Sequence, residues 1–137
     1  MNTYSIDDKQ FKQLKTYKDF IKNNPSVGYL KIRAFAASQA IPISNLKITV
    51  SKNIDNFNVI FYEGYTNESG VIEKINLPTP KLDSSNQDAP KTITYEITAT
   101  YIPNNTVNKY TVNMYENIYV VQTIGIVPDL NVMAGGN

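Results

Sequence analysis

Carboxylates are the side chains that remain for acid and base chemistry in this chain, because its 137 residues include no histidine and no cysteine. That composition excludes Ser-His-Asp triads, thiolate nucleophiles and the usual zinc ligands. A glycosidase-like pair needs two carboxyl groups held about 5 to 9 Å apart across a cleft. The candidates lie on or near predicted strands, at Glu63, Glu68, Glu73 and Glu96. Acidic residues on the outer phase of a strand are normally solvated, so we predict no catalytic residue and no enzymatic activity.

A second candidate chemistry is cation binding by the polar run from Asp83 to Asp88. Its oxygen atoms are numerous enough for Ca²⁺, a hard cation that prefers oxygen ligands. The run lacks the Asp-x-Asp-x-Asp-Gly order of a dedicated calcium loop. We therefore interpret it as part of an exposed loop from Pro78 to Pro90, and we expect neither a metal nor a cofactor.

Tyrosine is abundant, with ten copies and no tryptophan. Tyrosine rings can form a platform for sugars, but they also suit protein interfaces and the edges of sheets. The candidates are Tyr62, Tyr65, Tyr101, Tyr110, Tyr115 and Tyr119. We favour the interface interpretation and keep a cell-envelope carbohydrate site as the alternative, which three or more exposed coplanar rings would support.

Composition limits the classes of protein and of binding partner that remain possible. With 42% hydrophobic and 18% charged residues the chain is typical of one globular domain, and no apolar run approaches the roughly 20 residues of a membrane span. The net charge is +1 without a basic block, so nucleic acid is not an expected partner. The start, Met1 to Lys9, is polar and acidic, so we expect no signal peptide. The excess of Lys over Arg, with abundant Asn, Ile and Tyr, is typical of an AT-rich bacterial genome, so we expect synthesis in a bacterial cytoplasm.

The first element that positions side chains is a predicted amphipathic helix over residues 6–22. Ser5 and Asp8 resemble a capping box at its start, and Asn23-Asn24-Pro25 should end it. Its apolar face carries Leu14, Tyr17, Phe20 and Ile21, which we predict to be the partner-binding residues. The alternative, in which this face covers the protein's own sheet, stays equally open on the sequence alone.

From Gly28 onward the hydrophobic period changes from 3.6 to 2, which indicates strands. Alternation predicts about seven of them. They fall near 30–34, 46–51, 57–66, 71–77, 93–101, 107–115 and 118–127. The Asn67-Glu68-Ser69-Gly70 sequence is predicted to close a hairpin, with Gly70 at positive φ. The run from Ile93 to Tyr101 is the clearest strand, and we expect it to lie inside a sheet.

Several of these residues together resemble a known family. Four segments carry the resemblance: Ile41-Pro42-Ile43, the strand Asn45 to Val50, the turn Thr66 to Gly70 and the Leu77-Pro78 end. They are similar to carboxypeptidase-regulatory-like domains, which belong with transthyretin-like and collagen-binding-B-type sandwiches. The resemblance covers about residues 28–128. It implies an antiparallel Ig-like β-sandwich without chemistry of its own, used as a rigid accessory, spacer or docking domain.

Two details of the family bear on chemistry. Asn67 stands where the family usually has Asp, which weakens a metal or charge role for the turn. Some members form a Lys–Asn isopeptide bond with help from an acid, and the candidates here are Lys31 or Lys47, Asn113 or Asn117, and Glu96. Both lysines fall on the polar phase of their strands, so we interpret them as surface residues.

Together these observations predict three segments and one role. The segments are a helical lead-in over 1–27, a sandwich over 28–128 and a flexible tail over 129–137. The expected role is a non-enzymatic structural or docking subunit of a larger bacterial or phage-derived assembly, such as a tail, baseplate or surface component. Its expected partners are other protein subunits or further copies of itself, and we expect no nucleic acid and no membrane.

Overall fold

The computed structural model describes residues 4–36, 41–82 and 91–127, and within these ranges the protein is mostly β. Two short helices lie near the start, α1 (Asp8–Phe11) and α2 (Lys15–Asn23). The strands are β1 (Tyr4–Asp7), β2 (Ser26–Ala36), β3 (Ile41–Pro42), β4 (Lys47–Ile54), β5 (Phe57–Tyr65), β6 (Val71–Thr79), β7 (Ile93–Tyr101), β8 (Thr106–Met114) and β9 (Tyr119–Ile126). The Asp83–Asp88 run, most of the Pro78–Pro90 loop and the tail lie outside the described residues.

The strands form two mixed sheets. The larger has the order β1-β5-β4-β7-β8, in which β1 runs parallel to β5 and the other pairs are antiparallel. In the smaller, β2 pairs parallel with β9 along one edge and antiparallel with β6 and then β3 along the other. The all-β prediction is confirmed, but the expectation of a purely antiparallel arrangement is wrong.

All seven long strands that alternation predicted are present. Leu30, Ile48 and Ile97 are fully buried, as their phase predicts, and β7 lies between β4 and β8. Asn105 and Asn117 take left-handed backbone conformations in the turns before β8 and β9. Period-2 alternation works here because each sheet buries only one face, so every second side chain must be apolar.

The two sheets share one hydrophobic core. The largest fully buried side chain, Tyr95 of β7, donates a hydrogen bond from its hydroxyl to the Pro78 carbonyl of β6 in the other sheet. Burial raises the pKa of this hydroxyl strongly, so it remains a donor. Core residues come from both sheets, including Leu77, Met114, Ile124 and Ile126.

The predicted hairpin at residues 67–70 is wrong. β5 pairs with β4 and β1 in the larger sheet, whereas β6 pairs with β2 in the smaller one, so the turn carries the chain from one sheet to the other. The local turn itself is as predicted, because Gly70 has a φ of 74°. Its carbonyl accepts a hydrogen bond from the Ala34 amide at 2.7 Å, and this bond attaches the corner to β2.

A hairpin that the sequence analysis missed joins β4 to β5. Ile54 pairs with Phe57, so the loop contains only Asp55 and Asn56, which have φ values of 47° and 68°. Two successive positive φ values are the signature of a type I′ turn, for which Asp and Asn are suitable residues. The Asp-Asn dipeptide between two apolar runs was the signal that could have revealed it.

The single helix predicted over residues 6–22 is also wrong. Residues 4–7 form a strand along the edge of β5, and the helical part is split at residues 12–14, where Leu14 is extended. Phe11 and Phe20 are nine residues apart and would lie on opposite faces of one continuous helix. The break lets both rings enter the core, where their centroids are 5.4 Å apart.

Candidate interaction surface

The N-terminal segment, residues 4–25, is attached to the larger sheet by backbone pairing and a cap. The Asp7 carboxylate accepts a hydrogen bond from the Gln10 amide at 2.7 Å, and the Gln10 side chain accepts one from the Asp7 amide at 3.0 Å. This capping box stands in place of the predicted Ser5–Asp8 pair, because Ser5 belongs to β1. At the other end the Asn24 side chain donates to the Phe20 carbonyl at 2.9 Å and ends α2.

An aromatic cluster fixes this segment on the sheet. Phe11 meets Tyr17, Phe20 and Phe61 edge to face or nearly so, with centroid distances of 5.4, 5.4 and 6.1 Å. Phe61 of β5 also meets Tyr95 of β7 at 5.3 Å. Aromatic pairs of this geometry stabilise a core by about 0.5–1.5 kcal/mol beyond the area that they bury. The cluster makes the N-terminal segment part of the core of the domain.

The four residues predicted to bind a partner therefore contact their own domain. Phe20 is only 7% exposed, and Leu14, Tyr17 and Ile21 are partly buried against the same core. Of the two possibilities left open by the sequence, packing on the protein's own sheet is the one that the structure describes. Binding of a partner by these four side chains stays a prediction, and it would require α2 to leave the sheet.

Sequence reasoning missed Phe11, the most buried aromatic residue of the segment at 1% exposure. A helical projection of residues 6–22 places Phe11 away from Phe20, so it falls outside the predicted apolar face. An isolated phenylalanine on the polar side of a predicted helix was the available signal, because a large apolar ring is unusual in that position.

A second surface lies on the outer face of the smaller sheet. We call it the β9 face and define it by Tyr119, Val121 and Val127, which are 58%, 52% and 75% exposed. Beside them the rings of Tyr29 and Tyr119 stack with centroids 4.8 Å apart, and the Lys74 ammonium lies 4.6 Å from the Tyr29 ring centroid. Two exposed apolar side chains of β9 thus lie beside a partly exposed tyrosine of β2.

The sequence does contain a signal for the β9 face. In a half-buried strand one phase is apolar and the other polar, but the first half of β9 carries apolar residues on both phases. Ile124 and Ile126 are buried on the inner phase, whereas Tyr119 and Val121 lie on the outer phase. Two adjacent apolar side chains on the outer phase of an edge strand are typical of a surface that contacts something else.

The four glutamates considered for catalysis are on the surface of the sheets. Three of them lie beside lysines, with N–O distances of 3.8 Å for Glu63–Lys47, 3.5 Å for Glu73–Lys31 and 3.8 Å for Glu96–Lys109. Glu68 is exposed in the turn between the sheets. Ion pairs of this exposed kind contribute little to stability, usually below about 1 kcal/mol. Each lysine considered for an isopeptide bond, Lys31 and Lys47, has one of these surface partners.

Glu116 has a more specific environment at the turn between β8 and β9. Its carboxylate accepts hydrogen bonds from the Ser26 hydroxyl and, at 3.0 Å, from the Leu82 amide. These bonds, chiefly the one from Ser26, hold the pKa of this carboxyl below its ordinary value, with a further contribution from the Lys81 charge. The carboxylate links the start of β2 and the segment after β6 to the β8–β9 turn.

The tyrosines are distributed among different roles. Burial raises the pKa of Tyr62 and of Tyr110, whereas Tyr65 and Tyr119 are more than half exposed. Within residues 4–36, 41–82 and 91–127 the stacked tyrosine pair is Tyr29 with Tyr119, whose rings lie face to face at 28°. The described rings thus form a pair, and the three coplanar rings that would favour a sugar platform are not among them.

No three His, Cys, Asp or Glu side chains lie close enough to share a metal ion in the part of the chain that the structure describes. Among the same residues, no helix has the length and apolar character needed to cross a bilayer. The sequence matches no known protein-family pattern, and no curated protein is significantly similar to it.

Proposed function

We propose that this protein is a non-enzymatic structural or docking subunit of a larger bacterial or phage-derived assembly, such as a tail, baseplate or surface particle. The observation that carries the proposal is the β9 face, where Tyr119, Val121 and Val127 are each more than half exposed. Tyr119 and Val121 are neighbours on the outer phase of β9, and grouped apolar side chains exposed on a small domain support a role in protein contact.

The proposal includes a fold assignment: a β-sandwich of the carboxypeptidase-regulatory-like, transthyretin-like kind. In its support, three of the four segments that carry the resemblance meet in one hydrogen-bonded corner, and the Leu77-Pro78 segment lies at the other end of β6. The buried Thr66 hydroxyl donates to the Ile43 carbonyl at 2.6 Å and accepts from the Leu46 amide at 3.0 Å. The Asn67 side chain accepts from the amides of Ser69 and Val71. Asn67 thus closes the turn by hydrogen bonding, a role that needs no metal and no charge.

A docking role also fits the way in which the domain is closed. The aromatic cluster and β1 cover the side of the larger sheet near β5, which makes a rigid unit of the N-terminal segment and the sheets. A rigid domain presents a preformed surface and loses little entropy when a partner binds. The expected partners are other protein subunits, with no part for nucleic acid or a membrane.

The test compares two tyrosines of similar exposure in different sheets. Tyr119→Lys changes the β9 face, and Tyr65→Lys, at 53% exposure on β5, is the matched control. Tagged chains are produced in the native host beside the unmodified protein, and their incorporation into purified particles is measured by mass spectrometry. We expect Tyr119→Lys to reduce incorporation about tenfold, as loss of an aromatic anchor does, and Tyr65→Lys to leave it unchanged. Equal incorporation of both variants, or a chain that never copurifies at a fixed ratio with other subunits, would contradict the proposal.

The alternative function, a module that binds cell-envelope carbohydrate, has one supporting observation, the Tyr29–Tyr119 stack with Lys74 beside it. Aromatic faces bind sugars through their apolar planes, and a nearby cation suits an anionic polysaccharide. Titration of purified cell-wall polysaccharide against the wild type and Tyr119→Ala distinguishes the two functions, because only the carbohydrate function predicts saturable binding that the substitution removes.

A further inference from the structure

β9 is an edge strand whose outer edge is unpaired within residues 4–36, 41–82 and 91–127. The Tyr29 amide donates to the Ile118 carbonyl at 3.0 Å, and Tyr29 is in register with Tyr119. In a parallel pair the groups that point toward the neighbour come from alternate residues. The residues that direct their N–H and C=O groups away from β2, toward the open edge, are therefore Tyr119, Val121, Thr123 and Gly125.

The described edges of the two sheets differ in how they discourage pairing with another chain. β1 is only four residues long, β8 contains Lys109, and β6 contains Glu73, Lys74 and Pro78. Shortness, charge and proline are the usual protections of an edge strand. β9 has eight residues with no charge and no proline, so it lacks all three.

We propose that β9 pairs antiparallel with β9 of a second copy of this chain, joining the two smaller sheets into one continuous sheet across a twofold axis. The inference extends the proposed structural role by naming a partner. The occupant is a second copy because an antiparallel strand pair is compatible with twofold symmetry and the uncharged strand meets no like charge in its own image.

Side-chain parity selects the register. Directly opposed residues in an antiparallel pair point to the same face, so outer-phase residues must oppose outer-phase residues. A twofold axis through Thr123 satisfies this rule and places Tyr119 opposite Val127 of the second copy. Val121 then faces Gly125, a large side chain against the smallest one. In this register each outward N–H group of one strand lies opposite an outward C=O group of the other. This allows about ten hydrogen bonds between the two strands.

One contact at the edge must change when the strands pair. The Gln122 side chain donates to the Thr123 carbonyl at 3.0 Å, and this carbonyl lies at the proposed axis. Pairing replaces this local bond by one from the partner's backbone. Because this exchange offsets part of the gain from pairing, we expect a weak dimer that forms at high protein concentration.

The test uses charge at the axis. Thr123 is exposed, so Thr123→Lys should fold normally but place two ammonium groups opposite each other, and Thr123→Glu should do the same with carboxylates. The matched control is Thr111→Lys, at an exposed threonine on edge strand β8 of the other sheet. Sedimentation velocity on the full chain should show a monomer–dimer equilibrium that either Thr123 variant weakens at least tenfold and that Thr111→Lys leaves unchanged. An equimolar mixture of the Thr123→Lys and Thr123→Glu chains should form heterodimers.

Three results would overturn the inference. The first is a wild-type chain that remains monomeric up to about 1 mM. The second is a dimer that Thr123→Lys does not weaken. The third is a full-length monomer that dimerises only when the chain is ended at Val127. The last result would show that the chain's own C-terminal residues occupy the edge. A monomeric chain that is still incorporated into particles through Tyr119 would overturn this inference and leave the proposed function intact.

Discussion

Strands β1 and β9 stand in similar positions but have opposite surroundings. Each lies at an edge of its sheet and runs parallel to its neighbour, β1 beside β5 and β9 beside β2. β1 is short and leads directly into the Asp7 cap and the helices that cover the core. β9 is longer and uncharged, and its outer phase begins with the exposed apolar residues Tyr119 and Val121. The same kind of parallel edge strand thus leads into core-covering helices in one sheet and carries exposed apolar side chains in the other.

The difference between the N-terminal segment and β9 separates residues that stabilise the fold from residues that are free to contact a partner. Phe11 and Phe20 are buried, and removing a phenylalanine side chain from water stabilises a fold by about 1.5–3 kcal/mol. Tyr119 and Val121 remain more than half exposed, so they contribute less to the isolated domain and more to any contact. Substitutions in the N-terminal segment should therefore change folding, and substitutions on β9 should change association.

The largest effect is expected from Phe11→Ala. The ring is 1% exposed and contacts three other aromatic rings, so its loss should lower the free energy of unfolding by about 3–5 kcal/mol. Denaturant unfolding followed by circular dichroism measures the change. Tyr4→Ala, at a residue of β1 that is 66% exposed, is the control and should stay within about 0.5 kcal/mol. A loss below 1 kcal/mol for Phe11→Ala would remove the distinction between the two regions.

Gly70→Ala tests the corner that joins the two sheets. The residue has a φ of 74°, and a Cβ added there would lie only 2.3 Å from the Ala34 carbonyl oxygen. The backbone conformation alone costs an L residue about 1–2 kcal/mol, and the clash adds to it. We expect a loss of at least about 2 kcal/mol in denaturant unfolding. Ser69→Ala, next to it and exposed, should be nearly neutral, and equal effects at both positions would contradict the geometry.

Asp7→Ala should have an intermediate effect, because it removes the cap between β1 and α1. An N-cap of this kind is worth about 1 kcal/mol, which thermal unfolding can resolve as a lower Tm. Asp7→Ser keeps a capping oxygen and should recover most of the loss. If serine were no better than alanine, the hydrogen bond from the Gln10 amide would not be what stabilises this junction.

The smallest effect concerns the pH dependence contributed by Glu116. Its pKa is lowered in the folded protein from an ordinary value of 4.5, chiefly by the Ser26 hydroxyl. A lowered carboxyl pKa stabilises the fold above the ordinary value, and this contribution is lost as the pH falls through the folded value. The difference in unfolding free energy between the wild type and Glu116→Gln should therefore be constant at neutral pH and shrink below about pH 4.5. Glu68→Gln, in an exposed turn, is the control, and a difference that grows toward acid pH would reverse the assignment.

Local patterns predicted the strands better than their partners. Alternation located β7 and the buried phase of β2 and β4, because burial of one face is a property of each strand alone. The same reasoning paired β5 with β6, since a Gly-containing turn between two strands resembles a hairpin. Whether such a turn closes a hairpin or passes between sheets depends on which strands lie beside it.

The candidate surfaces show the same limit, because local patterns locate an apolar face but do not reveal what it contacts. The apolar face of α2 was visible from spacing, but its contact with Phe61 was not, because Phe61 is about forty residues away in the chain. Phe11 was missed because a continuous helix was assumed. The apolar residues Tyr119 and Val121 on the outer phase of β9 were readable from the sequence, but the position of β9 at an open edge follows only from the parallel pairing with β2.

The sequence by itself determined the all-β class, the seven long strands, the left-handed turn at Gly70, and the absence of histidine and cysteine chemistry. These properties follow from side-chain period, backbone sterics and composition, which are local. Only the tertiary structure decided that the chain changes sheets at Gly70, that the N-terminal segment joins the core, and that β9 is left at an edge. Those outcomes depend on contacts between residues far apart in the chain, where the burial of shared apolar surface overrides local preference.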